Sequence, residues 1–402
     1  MDNHLTIFTG GTAFIGNGQT ISNATVVVEG HNIVKVSNGN YEVPRDASIV
    51  AFDGHTILPG FIDCHTHICL DGDNDPFGHS RTDPFVQRVL QASKYSQQTL
   101  KAGITTIRDM GGVDDIDLGL RNAINKCLIV GPRILASRKL ICITGGHGWV
   151  IGREADGVDE IRKAVREQVK HGADVIKFMA TGGVLTPGSD PRASQMSLQE
   201  LEAGVIEAHK FGKRTAAHAK GSQGILNALR AGIDSIEHGT MLTEECVAIM
   251  KERGVSLNLT LSAMYGIEFR GRQGGMAQEL VDKAIATKSL RQQSIEMAKQ
   301  AGILITMGTD AGTPFNLHGE NLRELELMVE VGFTPMEALK AGTGSSALAL
   351  GLDKSIGSIG EGKLADLIIV EGDPTSDITK ISRPGAVKLV MKNGMIFHDE
   401  LS

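Results

Sequence analysis

Six possible metal ligands lie in two distant parts of this 402-residue chain. His65 and His67 are separated by one residue, and because side chains alternate along a strand, both imidazoles face the same side. Imidazole and carboxylate ligands without a thiolate are typical of zinc or a similar divalent ion. The later candidates, each within a short apolar run, are Lys177, His218, His238 and Asp310.

Each candidate also has an ordinary structural explanation. A single histidine on a strand is often a satisfied core or surface residue, and an aspartate after a strand often caps the next helix. Lys177 could extend its ammonium group to the surface along its aliphatic stem. Because the six candidates fall in five separate apolar runs, a shared metal site explains them better than six separate coincidences.

A repeated pattern predicts the elements that position these residues. Six helix-like stretches end at a glycine and are followed directly by an apolar run. Glycine is favoured there because a left-handed cap residue carries no Cβ penalty, and basic residues favour that end of the helix dipole. Apolar runs without polar alternation are typical of strands that are covered on both faces. The glycines are Gly103, Gly172, Gly212, Gly232, Gly254 and Gly302.

Helix, glycine and strand in repetition predict a parallel α/β protein. Two further runs, at residues 57–67 and 133–140, bring the number of strands to eight. Eight such units favour a (β/α)8 TIM-like barrel over an open doubly wound sheet. The functional residues of such barrels lie at the C-terminal ends of the strands, where the metal-ligand candidates fall.

The two ends of the chain predict a second, smaller domain of β structure. Short β-rich runs alternate with turn residues, and Asn393 with Gly394 indicates a hairpin because both residues tolerate positive φ. We therefore predict a small β-sandwich domain from residues 1–58 and 351–402, and a barrel at residues 59–350. Two long loops, at 71–83 and 182–194, are expected to shape a substrate pocket.

The composition favours a cytoplasmic enzyme with a small-molecule substrate. The net charge is −7, and no Lys/Arg cluster indicates a nucleic-acid surface. Five cysteines without a C-x-x-C spacing argue against a disulfide framework and for reducing conditions. No signal peptide or membrane span is visible in the sequence. We expect a homo-oligomer that binds neither nucleic acid nor a membrane.

Motifs over nearly the whole chain resemble those of the amidohydrolase superfamily. They are LPGFIDCHTH at 58–67, DVIKFMATGG at 174–183, His218, EHG at 237–239, GTD at 308–310 and GSIGEGKLAD at 357–366. The resemblance implies two divalent ions, expected to be zinc, and carboxylation of the lysine by CO2 to a carbamate that bridges them. An unpaired ammonium in an apolar strand would be costly, and a carbamate removes that cost. The implied ligands are His65, His67, Lys177, His218, His238 and Asp310.

Two further segments are similar to the branch that includes Xaa-Pro dipeptidases and arginine carboxypeptidases. They are ITGGHG at 143–148 and ATGGVLT at 180–186. The similarity implies that His147 and a tyrosine after the seventh strand, here Tyr265, polarise the scissile carbonyl. The chain departs from the family pattern at Leu259, where proline is more usual. Alternatively, His147 is only a histidine of a glycine-rich loop, and Tyr265 serves only in packing.

The implied mechanism is hydrolysis of an amide bond. Two metal ions about 3.5–4 Å apart would share an attacking hydroxide. Asp310 would take its proton and pass it to the leaving amine, while one metal, His147 and Tyr265 stabilise the oxyanion. The predicted substrate is a dipeptide or N-acyl amino acid. The alternative is a non-peptide amide, carbamate or urea at the same centre.

Two other classes of protein are disfavoured. A mononuclear deaminase is disfavoured because Lys177 is present and no His-x-x-Glu follows at His218. A metal-free scaffold of the same fold should have lost ligands, and none is missing.

The residues that recognise the substrate are left open. The candidates for binding a substrate carboxylate are Arg153, Arg192 and the backbone of Gly182–Gly183. Trp149 is a candidate wall of the substrate pocket.

Overall fold

The computed structural model describes residues 5–39, 41, 44 and 47–401. Contacts along the backbone divide the chain into two compact units. One unit consists of Met1–Asp63, Gln97–Thr106 and Gly319–Ser402, and the other of Cys64–Ser96 and Ile107–His318.

The strands of the described residues are numbered in chain order. They are β1 Leu5–Phe14, β2 Thr20–Glu29, β3 Asn32–Asn38, β4 Ser48–Ala51, β5 His55–Pro59, β6 Phe61–Thr66, β7 Ile104–Asp109, β8 Arg133–Ala136, β9 Leu140–Cys142, β10 Gly152–Glu154, β11 Val175–Met179, β12 Arg214–Ala219, β13 Ser235–His238, β14 Ser256–Asn258, β15 Ile305–Thr306, β16 Leu367–Glu371, β17 Val387–Lys392 and β18 Met395–Asp399.

The helices are numbered in the same way. They are α1 Pro76–Thr82, α2 Phe85–Lys101, α3 Ile116–Asn125, α4 Gly157–His171, α5 Leu198–Lys210, α6 Ser222–Arg230, α7 Glu244–Arg253, α8 Leu261–Tyr265, α9 Gln278–Ala286, α10 Lys288–Ala301, α11 Arg323–Glu330, α12 Pro335–Lys340, α13 Ser346–Leu350 and α14 Thr379–Ser382. A 3₁₀ turn at Trp149–Ile151 and π-helical turns at Gly266–Arg270 and Ala341–Ser345 complete the list.

Strands from both ends of the chain form one mixed sheet of eight strands. Its order is β18-β17-β16-β5-β1-β2-β3, and β4 pairs with β1. Buried side chains from both ends, among them Phe8, Ile57 and Leu367, form its core. The predicted hairpin is confirmed, because Asn393 and Gly394 have φ of 49° and 74° between β17 and β18.

The predicted succession of helix, glycine and strand is confirmed. All six predicted cap glycines have positive φ, from 65° at Gly212 to 94° at Gly103. At Gly172 the N–H bonds back to the last turn of α4 at Val169 O, and β11 follows directly. Every residue of β11 and β13 is buried, as expected for strands covered on both faces.

The strands that follow these glycines form two sheets. The larger is parallel, in the order β10-β9-β11-β12-β13-β14-β15, and the smaller has the order β6-β7-β8. Backbone bonds connect them on both sides. Cys64 N–H donates to Met307 O at 2.9 Å, next to β15, and Asp174 N–H donates to Ala136 O at 2.8 Å, next to β11.

Two of the predicted strands are divided in the structure. The run at 57–67 was expected to be one strand but forms β5 and β6, which belong to different sheets. The break lies at Gly60, where a Cβ would lie 2.3 Å from the side chain of Thr105, so only glycine permits this approach. Likewise, the run at 133–140 divides into β8 and the start of β9.

The predicted loop at 71–83 contains a helix. Asp75 caps α1 by accepting a hydrogen bond from Gly78 N–H at 3.0 Å, and Pro76 occupies the first helical position. No helix of the described residues is long and apolar enough to cross a membrane.

Candidate metal centre

Four histidines that are far apart in sequence lie side by side in the structure. The ring centroids of His65 and His67 are 5.4 Å apart, and those of His65 and His238 are 5.2 Å apart. The ring of His218 lies 4.5 Å from that of His238. All four side chains are buried.

Asp310 and Lys177 join this group. The Oδ1 of Asp310 lies 3.2 Å from Nε2 of His67 and 3.4 Å from Nε2 of His65, and Lys177 Nζ lies 3.4 Å from the same nitrogen of His65. One ligand atom from each of His65, His238 and Asp310 lies within 4.8 Å of the others. The structure thus brings together all six predicted ligands.

The strand ends account for this convergence. His238 ends β13, His218 is the penultimate residue of β12, and His67 directly follows β6. Lys177 lies in the middle of β11, and Asp310 lies in the chain beyond β15. Because neighbouring parallel strands end on the same side, their terminal side chains share one space.

One ring nitrogen of each histidine is already engaged in a hydrogen bond. Such bonds orient an imidazole and select its tautomer. The pairs are His65 Nδ1 with Glu237 Oε2 at 2.7 Å, His67 Nδ1 with Gly111 O at 2.9 Å, His218 Nε2 with Gly182 O at 3.1 Å, and His238 Nδ1 with Thr260 Oγ1 at 2.6 Å.

The proton positions follow from these partners. A carboxylate and two carbonyls can only accept, so the engaged nitrogens of His65, His67 and His218 carry the proton. The hydroxyl of Thr260 donates to Leu259 O at 2.8 Å and therefore accepts from His238. In each neutral ring the opposite nitrogen keeps its lone pair, which is the form that binds a metal ion. The donor set therefore fits a divalent cation.

Burial supports the neutral form of three rings. It lowers the pKa of His65 to about 4, and it holds the pKa of His218 and of His238 well below the usual value. His67 differs, because burial lowers its pKa but the adjacent carboxylate of Asp310 raises it overall. Nε2 of His67 and Oδ1 of Asp310 lie 3.2 Å apart, close enough to bind the same cation.

The two remaining candidates also have shifted pKa values. Burial would raise the pKa of Asp310, but His65, His67 and Lys177 hold it below its usual value, so the carboxylate is ionised. Burial lowers the pKa of Lys177 to about 8, although Glu237 and Asp310 act in the opposite direction. Lys177 is 2% exposed.

The backbone is strained at this centre. His238, Thr260 and Asp310 have φ of 70°, 53° and 61°, in the left-handed region that favours glycine. Each such residue costs about 1–3 kcal/mol and persists where the surroundings determine it. His238 and Asp310 are candidate ligands, and Thr260 orients the ring of His238.

The carboxylate of Glu237 organises the space behind the centre, a role that the sequence analysis did not assign. It accepts hydrogen bonds from His65 at 2.7 Å, Arg108 at 2.8 Å, Ser235 at 2.7 Å and Asn258 at 2.8 Å. Burial would raise its pKa, but Arg108 and His65 keep it below the usual value. The available signal was the EHG motif at 237–239, in which an acidic residue directly precedes His238.

His147 lies beside the candidate ligands. Its ring centroid is 4.6 Å from that of His218, and burial, together with the charge of Lys220, lowers its pKa to about 3. Tyr265 ends α8, and its ring stacks on Phe269 with centroids 4.5 Å apart.

The other candidates for substrate recognition are engaged elsewhere. Arg153 forms ion pairs with Glu160 and Glu167, each at 2.9 Å. Arg192 is paired with Asp190 at 2.9 Å. Trp149 is 39% exposed, and the guanidinium of Arg81 lies 5.4 Å from the centre of its ring.

A cavity opens beside the six candidate ligands. Both predicted pocket loops contribute to it, through Phe77 of α1 and through Val184 and Leu185. The segment after β14 contributes Ala263, Met264 and Ile267, and the end of β12 contributes Lys220.

Comparison with known proteins identifies this arrangement. The profile of the Amidohydrolase family matches residues 56–397. Ochratoxinase of Aspergillus niger is 31% identical over 425 aligned residues, which cover 98% of this chain and 86% of that protein.

Two solved structures are similar over nearly their full length. A Xaa-Pro dipeptidase with methionine bound in its active site is 31% identical, with a TM-score of 0.89, and the match covers 98% of this chain and 100% of the other. A prolidase complexed with N-methylphosphonate-L-proline is 31% identical, with a TM-score of 0.91 and the same coverage of 98% and 100%.

These comparisons show that the protein is an enzyme that hydrolyses carbon–nitrogen bonds of small-molecule substrates. The chain belongs to the amidohydrolase family, so the resemblance found in the sequence is confirmed. That family generally uses divalent metal ions, and the cluster described above is a possible site for them.

Glu237 provides a first test of this centre. In Glu237→Ala the guanidinium of Arg108 would remain buried without its counter-ion, so we expect the free energy of unfolding to fall by about 3–5 kcal/mol. Urea denaturation of the metal-free protein measures it. Glu252→Ala, on the exposed side of α7, is the control and should change it by less than about 0.5 kcal/mol. A loss below about 1 kcal/mol for Glu237→Ala would contradict the assigned role.

Proposed function

We propose that this enzyme hydrolyses the amide bond of a dipeptide or an N-acyl amino acid with the help of two divalent metal ions, of which zinc fits the ligands best. The observation that carries the proposal is the set of four imidazoles, each with one ring nitrogen already engaged in a hydrogen bond, beside Asp310 and a buried lysine. The proposed ligands are His65, His67, Lys177, His218, His238 and Asp310.

The proposed fold places these ligands at one end of a (β/α)8 barrel at residues 59–350. The backbone bonds from β6 toward β15 and from β8 toward β11 support closure of the two sheets into one barrel. We propose residues 1–58 and 351–402 as the β-sandwich domain. A cytoplasmic homo-oligomer stays a prediction of the sequence.

Divalent ions in such a site lower the pKa of a bound water and polarise the scissile carbonyl. The protein must then supply proton transfer, orientation and a dry surrounding. Asp310 is ionised because neighbouring cations hold its pKa low, so its carboxylate can accept the proton of the attacking water. It would then return that proton to the leaving nitrogen.

Lys177 is suited to the predicted reaction with CO2. A pKa of about 8 leaves about a tenth of the amine neutral at pH 7. The neutral nitrogen would attack the carbon of CO2 and release one proton, which leaves a carbamate anion. The buried position would then hold an anionic ligand between imidazoles instead of a cation.

The tautomer of His147 supports its role as a donor to the oxyanion. Thr186 Oγ1 lies 2.8 Å from Nδ1 of His147 and accepts from Gly148 N–H at 3.2 Å. We assign the hydroxyl proton of Thr186 to Nδ1, because a hydroxyl can donate one hydrogen bond while it accepts another, and this assignment places the ring proton on Nε2. With a pKa of about 3, the ring is a neutral donor at pH 7. Tyr265 is proposed as the second donor on its similarity alone.

The relatives support an amino acid at one side of the scissile bond. Two similar structures contain methionine and N-methylphosphonate-L-proline as bound ligands, and both ligands carry a carboxylate. Non-peptide amides, carbamates or ureas at the same centre are the second candidate.

A substrate library assay with the zinc-loaded enzyme separates the two candidates. We expect turnover of dipeptides or N-acyl amino acids, because the cavity pairs an apolar wall with a metal centre. Turnover confined to non-peptide amides, carbamates or ureas would overturn the proposed substrate and leave the proposed metal centre in place.

Lys177→Ala tests the carbamate. We expect loss of activity and of at least one metal ion, because a bridging anion is removed. Short carboxylic acids with zinc should partly restore activity, since a carboxylate can replace the carbamate. Metal analysis and rate measurements read out both effects, with Lys126→Ala at an exposed position as the control. Full metal content and full activity in Lys177→Ala would refute the assignment.

His147→Ala and Tyr265→Phe test stabilisation of the oxyanion. Each should lower kcat by roughly 10²–10³ with a smaller change in KM, because each donor acts mainly in the transition state. The metal content should remain unchanged. An unaltered kcat in Tyr265→Phe would assign this side chain to packing against Phe269, and loss of metal in His147→Ala would make that residue a support of the centre.

A further inference from the structure

A second cavity lies between the loop at 182–194 and the helices α9 and α10. Its volume is about 440 Å³, within the range of about 300–1,000 Å³ that sites for small molecules occupy. Its walls share no residue with the cavity beside the candidate metal ligands. Arg192, a candidate for binding a substrate carboxylate, lines this second cavity and not the first. The second cavity therefore has the size of a separate binding site.

Two ion pairs, one from the loop and one from α9, line the second cavity. In the loop, Arg192 Nη2 lies 2.9 Å from Asp190 Oδ2. On α9, Lys283 Nζ lies 2.7 Å from Glu279 Oε1. Lys283 also donates to Ser189 O at 3.3 Å and so connects α9 with the loop. Hydrogen bonds from Arg192 lower the pKa of Asp190, and the charge of Lys283 acts in the same direction, so the two pairs lie within electrostatic range of each other.

Both pairs keep hydrogen-bonding groups for a ligand. Arg192 donates to Asp190 through Nε and Nη2, and its Nη1 has no partner among the described residues. The ammonium of Lys283 has three N–H donors, of which Glu279 and Ser189 take two. Donors therefore remain for a carboxylate, and the second oxygen of Glu279 remains as an acceptor for an ammonium group.

The arrangement of these charges favours a ligand that carries both signs. A simple anion would be attracted by the two cations but opposed by the two carboxylates, and a simple cation would meet the reverse. A zwitterion avoids this conflict, because each of its charges can lie beside the opposite charge of the wall. The charged part of the cavity therefore indicates a compact zwitterion.

The remaining wall is largely apolar. Pro191 and Met241 contribute to it, and the helices contribute Ala286 and Leu290. Leu290 is 39% exposed, so the fold leaves a large apolar side chain partly uncovered at this point. A ligand that covers it removes apolar surface from water, which is favourable. A compact zwitterion with an apolar side chain is an α-amino acid of the leucine or methionine type.

The loop at 182–194 connects the two cavities. Val184 and Leu185 of this loop line the cavity at the metal centre. Both also pack in one cluster with Val281 and Ala284 of α9. A ligand that contacts the loop and α9 together favours the arrangement in which they lie against each other. Occupation of the second cavity should therefore make this wall of the first cavity more rigid.

We propose that the second cavity binds a free α-amino acid with an apolar side chain. The carboxylate contacts Arg192 and Lys283, and the ammonium contacts Glu279. The side chain covers Leu290. This site is additional to the proposed function and rests on it in one respect, because hydrolysis of a dipeptide or an N-acyl amino acid releases a product of this ligand class.

Three probes of similar shape test the need for both charges. L-leucine carries both, isocaproate carries only the carboxylate, and isoamylamine carries only the ammonium. Calorimetry on the zinc-loaded enzyme should show a binding event for L-leucine that Leu290→Trp removes, because the indole fills the cavity beside the charges. Ile285→Trp is the matched control, since Ile285 is exposed on α9 outside the cavity wall, and it should keep the event.

A second variant removes one charge and leaves the shape of the cavity. In Arg192→Met we expect L-leucine to bind at this site about 10-fold more weakly, the scale of one charge-assisted hydrogen bond at an exposed position. Amide hydrogen exchange locates the event. L-leucine should protect amides of the loop at 182–194 and of α9 in the wild type, and this protection should be absent in Leu290→Trp.

The possible results separate this inference from the proposed function. The inference is overturned if no binding event of L-leucine depends on Leu290, or if isocaproate or isoamylamine binds at this site as tightly as L-leucine. Unchanged affinity in Arg192→Met also overturns it. If the enzyme hydrolyses no dipeptide or N-acyl amino acid, the proposed function fails, and the comparison of Leu290→Trp with Ile285→Trp still decides whether the second site exists.

Discussion

One buried carboxylate, that of Glu237, supports the arrangement of the whole centre. Its oxygens accept from side chains on β6, β7, β13 and β14, namely His65, Arg108, Ser235 and Asn258. Arg108 also donates to the carbonyl of Cys64 at 2.6 Å, directly before His65. Charge-assisted bonds in a dry interior are strong, and the same burial makes any lost partner costly. These bonds therefore fix the positions of the four strands relative to one another behind the imidazole of His65.

The orientation of the remaining imidazoles depends on partners that can only accept a proton. Carbonyls and an already committed hydroxyl place the ring protons away from the shared space, so the lone pairs remain for a metal ion. Left-handed φ values at His238, Thr260 and Asp310 show that the backbone tolerates strain here. Such strain is held by surrounding packing, and it occurs where a site requires a particular side-chain direction.

Two buried lysines, Lys177 in β11 and Lys220 directly after β12, have different surroundings. Lys177 faces the carboxylates of Glu237 and Asp310, whose charges oppose the effect of burial on its pKa. Lys220 lies beside the sulfur of Met264, and burial and the charge of Arg291 lower its pKa to about 8, although Asp310 acts in the opposite direction. The first position suits conversion to an anionic ligand.

The sequence by itself determined the local features of this protein. The cap glycines, the hairpin at Asn393 and the shared face of His65 and His67 follow from the preferences of single residues and from strand periodicity. The sequence did not reveal the pairing of Arg108 with Glu237, the burial of Lys220 or the division of the strand at Gly60. Only the tertiary structure decided these, because each depends on which distant strands become neighbours and on which polar groups they leave without another partner.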